Sequence, residues 1–328
     1  MCGIAGILQF LPDAGMAEPR SVVAEMAEGL RHRGPDASGL WSSPDGLCHL
    51  GHRRLSVIDL SSEANQPMSD ATGRYTVVFN GEIYNFKALK ADLSASGVSF
   101  RTHSDTEVLL QGFAAEGADI FKKLDGMFAV AIYDRQTGAL TLARDGAGEK
   151  PLYYCKGEGF FAFASELRAL RAVPNIRFRL SETGLALYMA LRYVPAPGSM
   201  IEGVHKLAPG SVLEIARGGA LSEARFFSFA AGPFAPEPGQ DPQRFGEEVE
   251  TALANSLEAR LNSDVPLGAF LSAGVDSALA CAVLTKRLQR PLNTFTVGFE
   301  GDPDSEHVAA ADIAQRLGTT HHEFIFGP

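Results

Sequence analysis

The chain has no long apolar run. No stretch approaches the roughly 18 continuous apolar residues of a membrane helix, and mean hydropathy is zero. Cysteine is scarce. The four residues, Cys2, Cys48, Cys155 and Cys281, are too scattered for zinc or redox spacing. An even count admits two disulfides, but a chain of 328 residues buries a core without such staples. The scattered thiols read as reduced and cytoplasmic. Positive charge is in deficit, with 29 Lys+Arg against 39 Asp+Glu and a net charge of −10. That balance argues against a nucleic-acid backbone as a general partner, while leaving room for a local phosphate site. The start, MCGIAGILQF, lacks the basic segment of a signal peptide. There is no internal repeat of the roughly 20–50-residue kind and no low-complexity tract.

What is present divides in two. Up to about residue 229, short strands dominate, expected at 3–10, 75–80, 126–133, 139–144, 152–155 and 159–164. Segment 126–133, GMFAVAIY, is almost wholly apolar, as in a strand covered on both faces. Helices are predicted at 19–32, 85–96 and 105–116. Two packed sheets covered by helices follow from that pattern. Residues 230–242, AAGPFAPEPGQDP, hold four prolines and read as a linker or long loop. Beyond them Phe245, Val249, Leu253, Leu257 and Leu261 form one helical stripe. Strands LGAFLS, TFTVGF and EFIF then alternate with helices near 276–289 and 305–317, which predicts a parallel sheet. About three strands are few for such a sheet, so this second part is expected to be incomplete.

Cys2 follows the initiator Met1. With Met1 removed, Cys2 carries a free α-amine of pKa about 7.7–8.0, a base tethered to its own thiol. The plain alternative is a small buried cysteine at the start of a strand. Four further motifs follow in order: R-G-P-D at Arg33–Asp36, G-H-R-R-L-S at Gly51–Ser56, N-G-E-I-Y-N at Asn80–Asn85 and S-D-T-E at Ser104–Glu107. With the CGIAGI start, this order resembles the class II (N-terminal nucleophile) glutamine amidotransferases. The RGPD and NGEIYN forms resemble the glutamine-hydrolysing asparagine synthetases in particular, and the resemblance covers essentially the whole chain.

The resemblance implies an α+β fold: a four-layer αββα sandwich, then an incomplete α/β parallel-sheet ATP-pyrophosphatase domain. It divides the chain into a glutaminase part at 2–215, a connecting strand and linker at 216–242, and a synthetase segment at 243–328. Cys2 would be the nucleophile. The Asn80 side-chain amide and the Gly81 N–H would stabilise the oxyanion, a donor worth about 3–4 kcal/mol. Asn-Gly is also a strong hairpin signal, and a turn there would aim both donors. Arg54 would grip the α-carboxylate of glutamine, with Leu55, Ser56, Val57 and Ile58 beside it. Strand alternation sends Arg53 to the opposite face, so only one of the two arginines reaches the site. Glu82 and Asp105 would hold the α-amino end. Ser104-x-x-Glu107 also fits a capping box, with Asp105 in the first turn. Arg33 and Asp36 would order the loop over the site.

L-S-A-G-V-D-S at Leu271–Ser277 resembles the S-G-G-x-D-S pyrophosphate loop of ATP pyrophosphatases. Leu271, Ser272, Ala273, Gly274, Asp276 and Ser277, with Val297 on the next strand, would bind ATP brought with Mg²⁺. Ala273 stands where the family has glycine, at a cost of roughly 1 kcal/mol if φ is positive there. The family's downstream S-G-E-G-S-D-E has no counterpart. Arg144–Tyr154, R-D-G-A-G-E-K-P-L-Y-Y, matches a family segment expected to be structural. Adjacent His321 and His322 on a strand face opposite ways and form no metal pair. The implied reaction releases ammonia from glutamine and delivers it to β-aspartyl-AMP, with no prosthetic group. A homodimer is also implied, and neither nucleic acid nor membrane is expected as a partner. Two alternatives stay open at this point: a different acceptor carboxylate, or a chain that only hydrolyses or binds glutamine.

Overall fold

The computed structural model describes residues 1–11, 16, 18–174, 176–229, 241–302 and 304–327. The chain forms two compact units, Met1–Ala230 and Ala231–Pro328. Residues 230–240 of the predicted proline-rich linker lie outside the described residues.

The first unit opens with strand β1 (Gly3–Gln9), helix α1 (Pro19–Glu28), β2 (Ala37–Ser42) and β3 (Cys48–Arg54). Next come β4 (Met68–Ser69), β5 (Tyr75–Ile83), α2 (Phe86–Ala95) and α3 (Asp105–Glu116). Strands β6 (Gly126–Asp134), β7 (Ala139–Arg144), β8 (Tyr153–Gly157) and β9 (Phe160–Ala164) follow, then the short α4 (Leu167–Leu170) and α5 (Glu182–Leu191). Strands β10 (Val204–Lys206), β11 (Ser211–Ile215) and β12 (Leu221–Arg225) complete the unit.

These strands make two six-stranded sheets, ordered β10-β8-β9-β1-β3-β2 and β12-β11-β7-β6-β5-β4. All their pairings are antiparallel. Between the sheets lie Ile4, Leu8, Leu50 and Phe163 from one side and Val78, Ala131, Tyr133 and Leu142 from the other. The outer face of the first sheet packs Ala5, Ile7 and Ala162 against Val23, Met26 and Leu170 of α1 and α4. The outer face of the second packs Phe79, Phe128, Val130 and Ile132 against Leu89, Val108 and Leu109 of α2 and α3. The expected αββα layering is therefore present. It also explains the run 126–133. Even-numbered β6 residues face the helices and odd-numbered ones face the other sheet, so neither face tolerates a polar side chain. Each large side chain so buried contributes about 1.5–3 kcal/mol.

Strand β2 and helix α5 were not expected from sequence, and of β3 only its end at Arg53 and Arg54 was. Strand β3, CHLGHRR, carries polar residues, and its inward face sets the buried polar His52 beside Cys48 and Leu50. Helix α5 hides its identity differently, since Leu185, Tyr188, Met189 and Leu191 are all exposed.

The second unit holds α6 (Pro242–Ala259), β13 (Gly268–Phe270), α7 (Val275–Ala282), β14 (Asn293–Phe299), α8 (His307–Leu317) and β15 (Thr320–Phe326). Its three strands pair in parallel in the order β13-β14-β15, as the strand–helix alternation predicts. Leu271, Cys281, Ala310 and Ala314 form its core. The apolar stripe of α6 is only partly covered, with Phe245 and Val249 exposed. No helix among the described residues is long and apolar enough to cross a membrane.

Candidate functional site

A cavity of about 220 Å³ opens within the first unit. Six parts of the chain build it: the residues just before β1, the end of β3 with the loop after it, the middle and end of β5, the start of α3 with its cap, Met127 of β6, and Lys150 beyond β7. Cys2, Arg54, Leu55, Val57, Ile58, Asn80, Gly81, Glu82 and Asp105 all line it. Ser56 does not; its N–H is spent on Asp36 Oδ2 at 2.8 Å.

Cys2 is anchored through its backbone. Its carbonyl accepts from Arg33 Nε at 2.8 Å, and Arg33 is held in turn by Glu166 at 2.9 Å. Sγ lies 3.4 Å from the Leu55 N–H and 3.7 Å from the Leu55 carbonyl. Burial pushes the thiol above its ordinary 9.0, and the Leu55 bond only partly offsets this. The sulfur therefore rests protonated at neutral pH and needs a base.

Asn80 lies on the inner face of β5, 1% exposed. Neither its Nδ2 nor its Oδ1 has a hydrogen-bond partner among the described residues. A buried amide left so costs about 1–3 kcal/mol unless it serves something else. Gly81 follows from ladder phase. Tyr84 N–H donates to Asp125 O, so alternate β5 residues bond β6 and Gly81 turns its N–H away. Phe79 and Ile83 share that outward edge. The Phe79 N–H goes to Gln66 Oε1 at 2.6 Å and the Ile83 N–H to Asp105 Oδ2 at 3.0 Å. The Gly81 N–H between them has no partner among the described residues. The predicted Asn80-Gly81 turn is absent, since both residues lie mid-strand. Glycine is required there by crowding: a Cβ would sit 2.2 Å from Met127 O.

Arg54 and Arg53 part as strand alternation predicts. Arg53 bonds Ala27 O and Glu28 of α1. Arg54 is buried on the cavity side and holds the loop after β3. Its Nη1 donates to Ser61 O and Asn65 Oδ1, both at 2.8 Å, and its Nη2 to Ile58 O at 3.3 Å and to Asp59 O. Both terminal nitrogens are committed to that loop.

Ser104 caps α3 through Thr106 N–H at 3.1 Å. The reciprocal half of the expected capping box is missing, because Glu107 accepts instead from Arg101 N, Thr102 N and Thr102 Oγ1. Burial raises Asp105 from 3.8 to about 6 against the pull of its backbone bonds. Burial likewise lowers His52, which bonds Phe79 O, from 6.5 to about 4 and keeps it neutral.

Several lining residues lay outside the sequence expectation, Gln66 and Lys150 among them. Gln66 ties Phe79 N to Thr106 Oγ1. Lys150 comes from the Arg144–Tyr154 segment, expected to be structural throughout. Arg144 and Asp145 are structural: Arg144 bonds the carbonyls of Gly148, Lys150 and Leu207, and Asp145 bonds the N–H groups of Phe128, Glu149 and Lys150. They hold a turn that sends the Lys150 side chain into the cavity. Its motif partners were visible in sequence, but the direction of its side chain was not.

In the second unit, Leu271–Ser277 forms the turn from β13 into α7. Ser272 N–H donates to Ser277 Oγ at 3.1 Å, Gly274 N–H to Ser272 Oγ at 3.1 Å and Ala273 N–H to Glu306 Oε2 at 3.2 Å. Three amides of this loop thus already have acceptors from the chain itself. Ala273 is not among the positive-φ residues, so the feared backbone strain does not arise. Leu271 is buried, Asp276 lies in the first turn of α7 and Val297 is exposed on β14. No group of three His, Cys, Asp or Glu side chains suited to a metal occurs among the described residues.

Residues 1–227 match the family model described as glutamine amidotransferase domain, and residues 248–328 that of asparagine synthase. Asparagine synthetase (glutamine-hydrolyzing) 1 of Bacillus subtilis is 35% identical over 328 residues, all of this chain and 50% of that protein. Asparagine synthetase B (glutamine-hydrolyzing) of Escherichia coli is 34% identical over 340 residues, 99% of this chain and 54% of that protein. The chain thus spans about half the length of these curated relatives. Among solved structures, one titled as the allosteric regulatory enzyme of purine biosynthesis aligns with a TM-score of 0.52 at 20% identity. It covers 98% of this chain and 65% of that one, and shows likeness of fold alone.

Proposed function

The chain belongs to the glutamine amidotransferase domain family, continued by an asparagine synthase segment, and from that membership we propose that it hydrolyses glutamine at Cys2. The observation that carries this reading is a pair of unspent donors, the Asn80 amide and the Gly81 N–H, in one cavity with a half-buried thiol. Removal of Met1 leaves Cys2 with a terminal amine. That amine takes the thiol proton as sulfur attacks the side-chain amide carbon of glutamine. The two donors meet the oxygen as it gains negative charge. The C–N bond then breaks, the amine returns its proton to the leaving nitrogen, and ammonia departs. Water cleaves the Cys2 thioester to give glutamate and restore the thiol.

Glu82 and the Asp105 carboxylate suit the α-ammonium of glutamine; a cation beside Asp105 offsets the burial that raises its pKa. Arg54 suits the α-carboxylate through its remaining Nε–H and through the loop it holds, and Leu55, Val57 and Ile58 shape that side. The proposed parts are residues 2–215 for glutamine, 216–242 as connector and 243–328 for ATP. Ammonia is passed to a carboxylate activated by ATP with Mg²⁺ at Leu271–Ser277 and Val297, aspartate being the acceptor, to give asparagine, AMP and pyrophosphate. A cytoplasmic homodimer completes the reading, and four free thiols are in keeping with a reducing compartment. The internally bonded Leu271–Ser277 loop favours a second reading, in which the chain releases glutamate only. AMP release with aspartate and ATP separates the two.

The test is intact mass together with glutamate release. The mature chain is expected to begin at Cys2, and Cys2→Ala to abolish release with an unchanged melting temperature. Turnover by Cys2→Ala at the wild-type rate removes Cys2 from the reaction.

A further inference from the structure

The two halves of the proposed site stand on different sheets. Cys2 precedes β1 of the first sheet, and Asn80 and Gly81 lie on β5 of the second. Oxyanion donors serve only when held to within about 0.5 Å of the productive geometry, whereas the apolar packing between the sheets is non-directional. A hydrogen bond crosses from one sheet to the other beside the donors. His52 of β3 donates from Nε2 to Phe79 O of β5 at 3.1 Å. A carbonyl only accepts, so Nε2 carries the hydrogen. The connections from this bond to the reacting groups are short on both sides. His52 pairs with Ile4 of β1, two residues from Cys2, and β3 runs on to Leu55, whose N–H lies 3.4 Å from the sulfur. Phe79 precedes Asn80 and shares the outward edge of β5 with Gly81. Its N–H is held by Gln66, so buried side chains take both backbone groups of Phe79.

We infer that His52 is a positioning residue, one that fixes the nucleophile against the oxyanion donors by tying β3 to the Phe79–Asn80 peptide. This deepens the glutaminase reading and rests on it. His52 does not line the cavity, so it acts through Phe79 and not on glutamine. Packing does not account for the ring. It is 1% exposed, and its Nδ1 has no partner among the described residues. A buried polar atom left so costs about 1–3 kcal/mol. An apolar side chain beside Cys48 and Leu50 avoids that cost. What the imidazole adds is a donor at the right reach for Phe79 O. Burial keeps the ring neutral, so the bond brings no charge to the site.

The test sets glutamate release in wild type, His52→Gln, His52→Asn and His52→Leu against the state of the Phe79 carbonyl. Glutamine places an amide donor at the reach of Nε2, asparagine falls one methylene short, and leucine has no donor. Phe-Asn occurs once in the sequence, so ¹³C-carbonyl phenylalanine with ¹⁵N-asparagine gives a single HNCO cross-peak, that of the Phe79–Asn80 peptide. In His52→Asn and His52→Leu the carbonyl resonance is expected to move upfield as its hydrogen bond is lost. In both, kcat falls by up to about 10²-fold, the effect of misplacing a reacting group by about 1 Å. KM for glutamine stays near wild type. His52→Gln keeps the carbonyl resonance and kcat near their wild-type values. A residue that only supports the fold moves the melting temperature and leaves kcat of the folded enzyme alone. A folded variant in which kcat does not follow the carbonyl shift overturns the inference and leaves the glutaminase reading standing. Wild type that releases no glutamate removes that reading and the inference with it.

Discussion

Replacing Asn80 by leucine separates what the residue does for chemistry from what it costs the fold. The amide is 1% exposed and neither polar atom has a partner among the described residues. Leucine has nearly the same shape and removes both unpaired atoms. Relief of an unsatisfied buried amide is worth about 1–3 kcal/mol. At about 2–4 °C per kcal/mol for a unit of this size, the melting temperature rises by several degrees. The same change deletes one oxyanion donor, which lowers kcat by about 10²–10³-fold. KM for glutamine stays near its wild-type value, because the oxyanion exists only on the way over the barrier. Differential scanning fluorimetry and steady-state glutamate release on Asn80→Leu measure both sides. A lower melting temperature refutes the claim that the amide is unsatisfied at rest. An unchanged kcat refutes its place in the oxyanion site.

Asp105→Asn is expected to stabilise the chain increasingly as pH rises from 4 to 7. The folded-state pKa of about 6 lies above the ordinary 3.8, so the native state is favoured at low pH. That advantage, up to about 3 kcal/mol, is lost as the buried group ionises. Melting curves at pH 4.5 and 7.5 measure it, and an equal gap at both values contradicts it. Arg54→Lys loses the span that ties Ile58, Asp59, Ser61 and Asn65 together. KM for glutamine is expected to rise at least about tenfold and stability to fall by about 1–3 kcal/mol. A wild-type KM in the folded variant detaches that loop from glutamine binding.

Patterns with a short physical range could be read from the chain directly. Uniform apolarity at 126–133 gave a doubly covered strand, and two-residue alternation separated Arg53 from Arg54. Asn80-Gly81 misled for a physical reason. Its glycine satisfies a close approach by Met127 O on the neighbouring strand, a contact 46 residues away that no local preference encodes. The Ser104 cap formed, but Glu107 found better donors at Arg101 and Thr102 than the one its spacing offers. Lys150 stayed hidden because the Asp145 and Arg144 bonds that aim it belong to tertiary structure. The first part of β3 was hidden because its inward face sets a buried polar His52 beside Cys48 and Leu50 and so breaks the apolar alternation.

The outward edge of β5 carries a last consequence. An exposed strand edge with a row of spare donors templates any passing extended chain and invites aggregation. Here the donors on either side of Gly81 are already capped by Gln66 and Asp105. One rung is left between two closed ones. An intruding polypeptide needs several rungs in succession and finds none, whereas a lone carbonyl needs one. Such a border suits a small molecule rather than a second polypeptide.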